Sequence, residues 1–415
     1  MFVSDHPVTA SGPAPTSETG LGNTGTVALT SRRDVASTFV SFGLLGMLSG
    51  GWFARIPAAR DHLDAELSTV GLVLLCMGLG SFATMPFGGR LSHRFSSRRV
   101  CMIAAVAAAL FYCLLPFTTS PVVFGLLLFG TGAAIGCWEV MLNVHGADVE
   151  RRSQRSIMPA LHGLWSAGVM VGSALGAVLA AAGVTFGQQF WLTFPLIAIV
   201  SVIAASGWRD HRTRSADGGR PSRPSMRALS LPVVLLALML VCSNTGEGTA
   251  SDWLALYVHD ERGIPEGLAA AAFTAYSLAS TTGRLLGGFV VDRLGPLLTL
   301  RLSGLITAAG IGTVIFLPSA VGPYLGAALW GLGLATIFPV AITIAGRHGG
   351  DNSAGAISAV TTIGFGAFLT APPLIGFVAD HASIGFALGL VMVAALGVPM
   401  LAGLAIKSPT SVRTR

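Results

Sequence analysis

The stretch GCWEVMLNV at 136–144 closes a long apolar run, LLLFGTGAAIGCW, yet carries Glu139, with Asn143 four residues further on. Residues four apart share a helix face, so the two look into the same space, with Trp138 beside them. A charged acidic residue at the centre of a membrane helix costs roughly 2.5–3.5 kcal/mol. A carboxyl group kept from bulk water can instead take up and release a proton as its surroundings change. Glu139 is expected to couple a proton or contact a polar solute; the plainer alternative is a structural partner of an arginine or of backbone groups.

A second group lies in SNTGEGTASDW, 243–253. Gly246 and Gly248 weaken a helix, and an unwound stretch is tolerable where it lines a cavity. Asn244, Glu247 and Asp252 are then candidate ligands or gate residues, with Glu247 a second candidate for proton coupling. Alternatively the helix ends early and leaves them in a loop. Arg55 ends the first apolar run and either binds solute or serves as an interface anchor or gating ion pair. If Arg55 stood near Glu139, each would lower the cost of burying the other. His145 and His162 flank a turn at the predicted inner face, where a solvated histidine titrating near pH 6.5 is ordinary. Trp52, Trp138, Trp165 and Trp330 offer flat faces suited to sugar rings or flat drugs, although tryptophan is also common at membrane interfaces. The candidate solute-binding set is Trp52, Arg55, Trp138, Asn143, Asn244 and Asp252.

These residues need elements that hold them in a membrane. Charged residues make up 11% of the 415-residue chain, against about 25% in soluble domains. Mean hydropathy is +0.71. A hydrocarbon core of about 30 Å needs about 20 apolar residues per helix. Twelve runs of that order recur, at roughly 35–56, 70–91, 100–118, 122–144, 159–184, 189–208, 229–257, 268–290, 299–318, 322–346, 355–380 and 384–406. They are continuous rather than alternating, which excludes a β-barrel.

The polar, basic segment WRDHRTRSADGGRPSRPSMRA, 208–228, divides the spans into six and six and reads as a flexible linker. The expected organisation is a disordered cytoplasmic tail over 1–34, six-helix bundles over 35–208 and 229–406 joined by a cytoplasmic linker at 209–228, and a cytoplasmic tail over 407–415. The first 31 residues lack the apolar core of a signal peptide. With the amino terminus inside, only Arg55, Arg60 and Arg262 of the 25 Lys and Arg fall outside, which leaves 25 − 3 = 22 inside. That asymmetry follows the positive-inside rule. It places both termini in the cytoplasm and accounts for a pI near 9.5 without nucleic acid. Cys76, Cys101, Cys113, Cys137 and Cys242 all fall in apolar runs without metal-ligand spacing. No nucleotide-binding, zinc-hydrolase or nucleophile-elbow motif is present, so neither enzyme chemistry, a cofactor, a metal nor ATP-driven transport by this chain alone is expected.

The halves resemble each other. GGRLSHRFSSRR (88–99) follows span 2, and GGFVVDRLGP (287–296) follows span 8; aligning His93 with Asp292 gives 292 − 93 = 199. GTG in span 4 and GLG in span 10, at Gly130 and Gly331, give 331 − 130 = 201. A duplicated six-helix unit places a substrate site between the halves. Glycines at 168, 172 and 176 allow close helix packing. Gly364, Gly366, Pro372, Pro373 and Gly376 favour a bend in span 11.

The loop after span 8, with Gly288, Asp292, Arg293 and Gly295, resembles the signature loop of the major facilitator superfamily. The first-half copy is degraded: Gly89, Leu91 and Arg94 fit, but His93 replaces the Asp and Ser96 the Gly. In that family the first-loop Asp braces the outward-facing state, so His93 implies a brace that is weakened or pH-dependent. WFARIPAAR (52–60), WEVMLNVHGADVERR (138–152), DWLALYVHDE (252–261) and GRLLGGFVVDRLG (283–295) are similar to the fucose-permease branch and its uncharacterised bacterial relatives. The resemblance covers about 35–406 and implies an all-α membrane protein of twelve helices in two pseudo-symmetric six-helix bundles. It implies a monomeric secondary transporter in the cytoplasmic membrane, moving a sugar or related metabolite with protons by alternating access. Fucose permease has an acid in span 4, as here, but its span 1 acid has no counterpart after Asp34. Two patterns of drug–proton antiporters, an Arg in span 4 and a Gly-Pro pair in span 5, are missing. A drug or metabolite exporter of the same fold and a non-transporting receptor or scaffold remain the alternatives.

Overall fold

The protein is described by a computed structural model covering residues 32–84, 94–154, 157–208 and 230–407, with Phe87 and Leu91. The expected tails and linker fall outside these residues, except that Arg32–Asp34 already belong to the first helix and Lys407 to the last. Gly89 and His93 of the first signature loop also lie outside them.

Among the described residues there are only helices, turns and short 3-10 segments, and eleven helices are long and apolar enough to cross a membrane. One of them, Glu266–Phe316, is two spans in sequence. It breaks at Gly295, whose φ of 74° and ψ of 161° are open to glycine alone, and Pro296 follows. Twelve spans result. Spans 1 to 6 are Arg32–Phe53, Leu67–Thr84, Ser97–Phe117, Pro121–Ser153, Met158–Ala181 and Phe186–Ser206. Span 7 is Leu231–Asp260, spans 8 and 9 are the broken helix, and spans 10 to 12 are Gly322–Gly349, Gly355–His381 and Ile384–Ile406. Large apolar side chains such as Ile103, Val122, Leu192, Leu285 and Met400 stand exposed on the outside. A soluble protein would bury such side chains; a lipid-facing surface requires them.

Glycine sets the closest helix approaches. A Cβ at Gly46 or Gly50 of span 1 would stand 2.0 Å from the carbonyl oxygens of Trp165 and Val169 in span 5. In return, Gly168 and Gly172 press against the carbonyls of Gly43 and Met47. The spacing of four read from the sequence is this seam. Duplication is visible in the same way. Gly132 of span 4 abuts the Met77 carbonyl of span 2, and Gly331 of span 10 abuts the Tyr276 carbonyl of span 8. Both members differ by 199 (331 − 132 and 276 − 77), the offset of the signature loops. The expected alignment of Gly130 with Gly331 is therefore two residues out of register.

The halves meet along spans 5 and 8 and along spans 2 and 11. The short helix Ile56–Leu63 follows span 1 at what we term the Arg55 end of the bundle; the opposite end, where spans 4 and 6 finish at Ser153 and Ser206 and span 7 begins at Leu231, is termed the linker end. At the Arg55 end the halves are pressed together: a Cβ at Gly267 would stand 2.5 Å from the backbone of Ala181, and one at Gly376 the same distance from Leu67 O.

Candidate functional site

A cleft opens between the halves, lined by Phe53 of span 1, Trp165 and Ser166 of span 5, Glu247 and Ser251 of span 7, and Phe273, Tyr276, Ser277 and Arg284 of span 8. Its polar centre is an ion pair. Arg284 Nη2 lies 2.5 Å from Glu247 Oε1, and Arg284 Nη1 donates to Ser166 Oγ at 3.0 Å. One guanidinium thus joins a carboxylate of its own half to a hydroxyl of the other. Arg284 and Glu247 side chains remain 33% and 27% exposed, so water reaches both.

Span 7 does not unwind at Gly246 and Gly248, contrary to expectation, and it does not end before Asp252; one continuous helix runs Leu231–Asp260. The glycines serve packing instead. The missing Cβ of Gly246 faces Leu334 and Trp330, and that of Gly248 faces Phe368. Helix contacts on both sides outweigh an intrinsic glycine penalty of about 1 kcal/mol each. Asn244 is buried where Gly364 of span 11 approaches it, and its Nδ2 has no partner among the described residues. Asp252 is half-buried, near the Tyr112 hydroxyl of span 3, and takes no hydrogen bond or ion pair among the described residues.

Glu139 sits on the nineteenth residue of the 33-residue span 4. It is recessed within the bundle but solvent-accessible, and no cation pairs with it among the described residues. Asn143 Nδ2 donates to the Glu139 carbonyl at 2.9 Å, which confirms their common face. Trp138 points away from that face and is fully buried near Cys101 of span 3. Trp52 is likewise buried, in an aromatic cluster with Tyr112, Phe124 and Phe190. The two tryptophans expected to contact solute therefore fill the first bundle's interior; Trp165 is the one that reaches the cleft.

Arg55 closes the end of the molecule rather than approaching Glu139. Fully buried, it donates from Nε to Gln189 Oε1 at 2.8 Å, from Nη2 to the Val184 carbonyl, and from Nη1 to Glu266 Oε1 at 2.7 Å. Glu266 opens span 8, so this ion pair crosses between the halves. Arg60 to Asp260 at 3.1 Å does the same. Asp380 of span 11 accepts from the backbone N–H groups of Leu67 and Ser68, capping span 2 of the other half. Phe53 packs edge-on against Phe273 beneath these contacts. The cleft is thus sealed from the Arg55 end.

His145 is not solvated. It lies 3.0 Å from Asp34 Oδ1 and stacks on Trp208 with ring centroids 3.9 Å apart. Arg152 holds the other Asp34 oxygen at 2.9 Å. His162 is exposed, edge-on to Phe42 and within electrostatic reach of Arg284. In the second signature loop Asp292 and Arg293 are exposed, Arg293 lies over the Phe289 ring, and a Cβ at Gly288 would meet open space. Arg94 of the first loop lies over Phe95.

Sequence reading missed Arg284, Ser166 and Ser251. Arg284 lies within the run 268–290 and was one of the 22 cations placed on the inner side. The available signal was an Arg inside an apolar run in the same half as the intramembrane Glu247.

Twelve spans in two related bundles around a polar cleft sealed at one end define a secondary transporter that binds a small molecule within the membrane. A family model described as Major Facilitator Superfamily matches residues 36–367, and the chain belongs to that superfamily. It is a transporter rather than an enzyme, and several of its relatives are named as transporters. It is 30% identical over 363 residues to the uncharacterised transporter y4wD of Sinorhizobium fredii, covering 86% of this chain and 93% of that protein. An uncharacterised MFS-type transporter of Yersinia pestis is 29% identical over 355 residues, covering 86% and 91%. The fold is similar to the crystal structure of the nucleoside transporter NupG, with a TM-score of 0.72 at 13% identity, covering 91% of this chain and all of that one.

Proposed function

We propose that this protein moves a small polar solute, a sugar or related metabolite, across the cytoplasmic membrane by alternating access, with proton coupling through Glu139. The observation that carries the coupling is the position of Glu139: a carboxyl group midway along a span, reached by solvent and without a cationic partner among the described residues. Such a group is costly when charged and is retained where it exchanges protons or binds solute. The lysine and arginine asymmetry supports cytoplasmic termini and linker, which makes the Arg55 end the outer one. The conformation is then closed to the outside. The unit that cycles is a single chain.

The test is a ligand-stabilisation screen on purified protein at acidic and neutral pH, in wild type and Glu139→Gln. A ligand binding only the folded state raises the melting temperature. The expected result is a hit whose pH dependence disappears in Glu139→Gln, with pH-gradient-driven uptake of the same compound in proteoliposomes. Unchanged pH dependence in Glu139→Gln would reassign the carboxylate to structure. Binding without flux would favour a receptor.

A further inference from the structure

Arg284 is a charge in the cleft that coupling through Glu139 leaves without a task. It stands eighteen residues into span 8, about 27 Å from the Arg55 end at 1.5 Å per residue. Glu139 stands eighteen residues into span 4, at a similar depth. A guanidinium cannot shed its charge, so at that depth it needs an acceptor at every stage of a transport cycle. In the present conformation the acceptors are Glu247 Oε1 and Ser166 Oγ. Only Nη2 to Glu247 is charge-compensated, and both side chains remain open to the cleft.

We infer that the solute carries a carboxylate, which replaces Glu247 on Arg284 when Glu247 takes up a proton. This rests on the transporter reading and names its substrate class. The exchange conserves charge. Before it, Arg284 and ionised Glu247 sum to zero; after it, Arg284 and the solute carboxylate sum to zero, with the proton from the cleft on a Glu247 oxygen. A planar guanidinium suits a carboxylate because two N–H groups meet two oxygens. The neighbouring hydroxyls of Ser166, Ser251 and Ser277 and the ring of Trp165 remain for the rest of the solute. The titratable groups facing the pair are His162 from span 5 and Tyr276 from span 8 itself. Arg284 sets the field at this point of the cleft in favour of an anion. Glu139 and Asp252 act in the opposite direction and would draw a cationic solute, which the test separates.

The experiment uses compounds of similar size that differ in charge: benzoate, benzamide and benzylamine, and glucuronate, glucose and glucosamine. Melting shifts are read at acidic and neutral pH in wild type, Glu247→Gln, Arg284→Gln and Arg284→Lys. A carboxylate is expected to stabilise wild type more at acidic pH. In Glu247→Gln, whose guanidinium has lost its carboxylate, it should bind at least as tightly, with a flattened pH response. Arg284→Gln should lose it. Arg284→Lys, which keeps the charge and guards against a folding failure, should weaken it by about tenfold through loss of the two-pronged contact. Hits confined to the uncharged or cationic compounds overturn the inference, as does a carboxylate that Arg284→Gln still binds. It is equally overturned if no carboxylate stabilises Glu247→Gln. In the uncharged case, proton-driven uptake of that compound, lost in Glu139→Gln, leaves the transporter reading intact.

Discussion

Asp34 accepts from both His145 and Arg152 while its own side chain is wholly buried. This ties the start of span 1 to the end of span 4, and the stacked His145–Trp208 pair extends the tie to span 6. Removing Asp34 leaves His145 buried without its acceptor and Arg152 with Asp148 alone, at about 1–3 kcal/mol. Asp34→Ala is expected to lose about that much stability in thermal unfolding. His145→Ala should lose less, because Arg152 still neutralises Asp34. Equal melting temperatures for Asp34→Ala and wild type would show the cluster to be dispensable. Glu139 stood out in the sequence because a carboxylate in an apolar run needs either a partner or access to solvent. Asp34 was not, since a polar residue after Arg32 and Arg33 reads as the end of a tail. Trp52 and Trp138 were legible as span residues only. Which way a ring points depends on the neighbouring helices: Trp52 is drawn in by Tyr112, Phe124 and Phe190, and Trp138 is buried near Cys101 of span 3.

At the scale of elements, glycine carries information of two kinds that sequence spacing does not separate. Gly172 is a contact: a Cβ there would lie 2.0 Å from the Met47 carbonyl, and backbone cannot yield as a flexible side chain does. Gly172→Val is expected to abolish most of the folded protein, read as a monodisperse peak after detergent extraction. Gly288→Ala, with nothing within 4 Å, should leave that peak unchanged. Gly295 is a conformation: its Cβ would also meet open space, yet its dihedral angles exclude other residues. Gly295→Ala should therefore cost about 1–3 kcal/mol without any clash. A melting temperature equal to that of Gly288→Ala would contradict that assignment. The repeat itself was legible through the signature loops, whose offset of 199 matches the helix contacts. The GTG and GLG pair misled by two residues because either glycine of each motif could be the one at the crossing. Span 7 misled for the same reason: Gly246 and Gly248 look like helix breakers until the side chains that fill their space are known.

The whole molecule is asymmetric along its axis. The ion pairs and backbone caps between the halves gather at the Arg55 end, whereas the bond from Arg284 to Ser166 is the polar link between halves nearest the linker end among the described residues. Alternating access requires these contacts to break together, so each helps set the balance between two states. Arg55 matters most because it is buried with every donor group engaged; Glu266, left alone, would keep an uncompensated charge at a packed seam. Arg55→Gln is expected to disfavour the closed arrangement by about 2–4 kcal/mol, a shift of more than tenfold in the ratio of states. The seam residue Ala177, buried beside Ala54 and Ala270, reports it. Replaced by cysteine in a background lacking the native cysteines, it should react slowly with a maleimide, and markedly faster once Arg55→Gln is added. Glu266→Gln should act in the same direction. Its effect should be smaller, because Arg55 keeps Gln189 and the Val184 carbonyl as acceptors. If labelling at position 177 does not change in either variant, the closure rests on the glycine contacts between spans 5 and 8 rather than on charge. Gly267→Leu, which would press against Ala181, should then be the substitution that opens it.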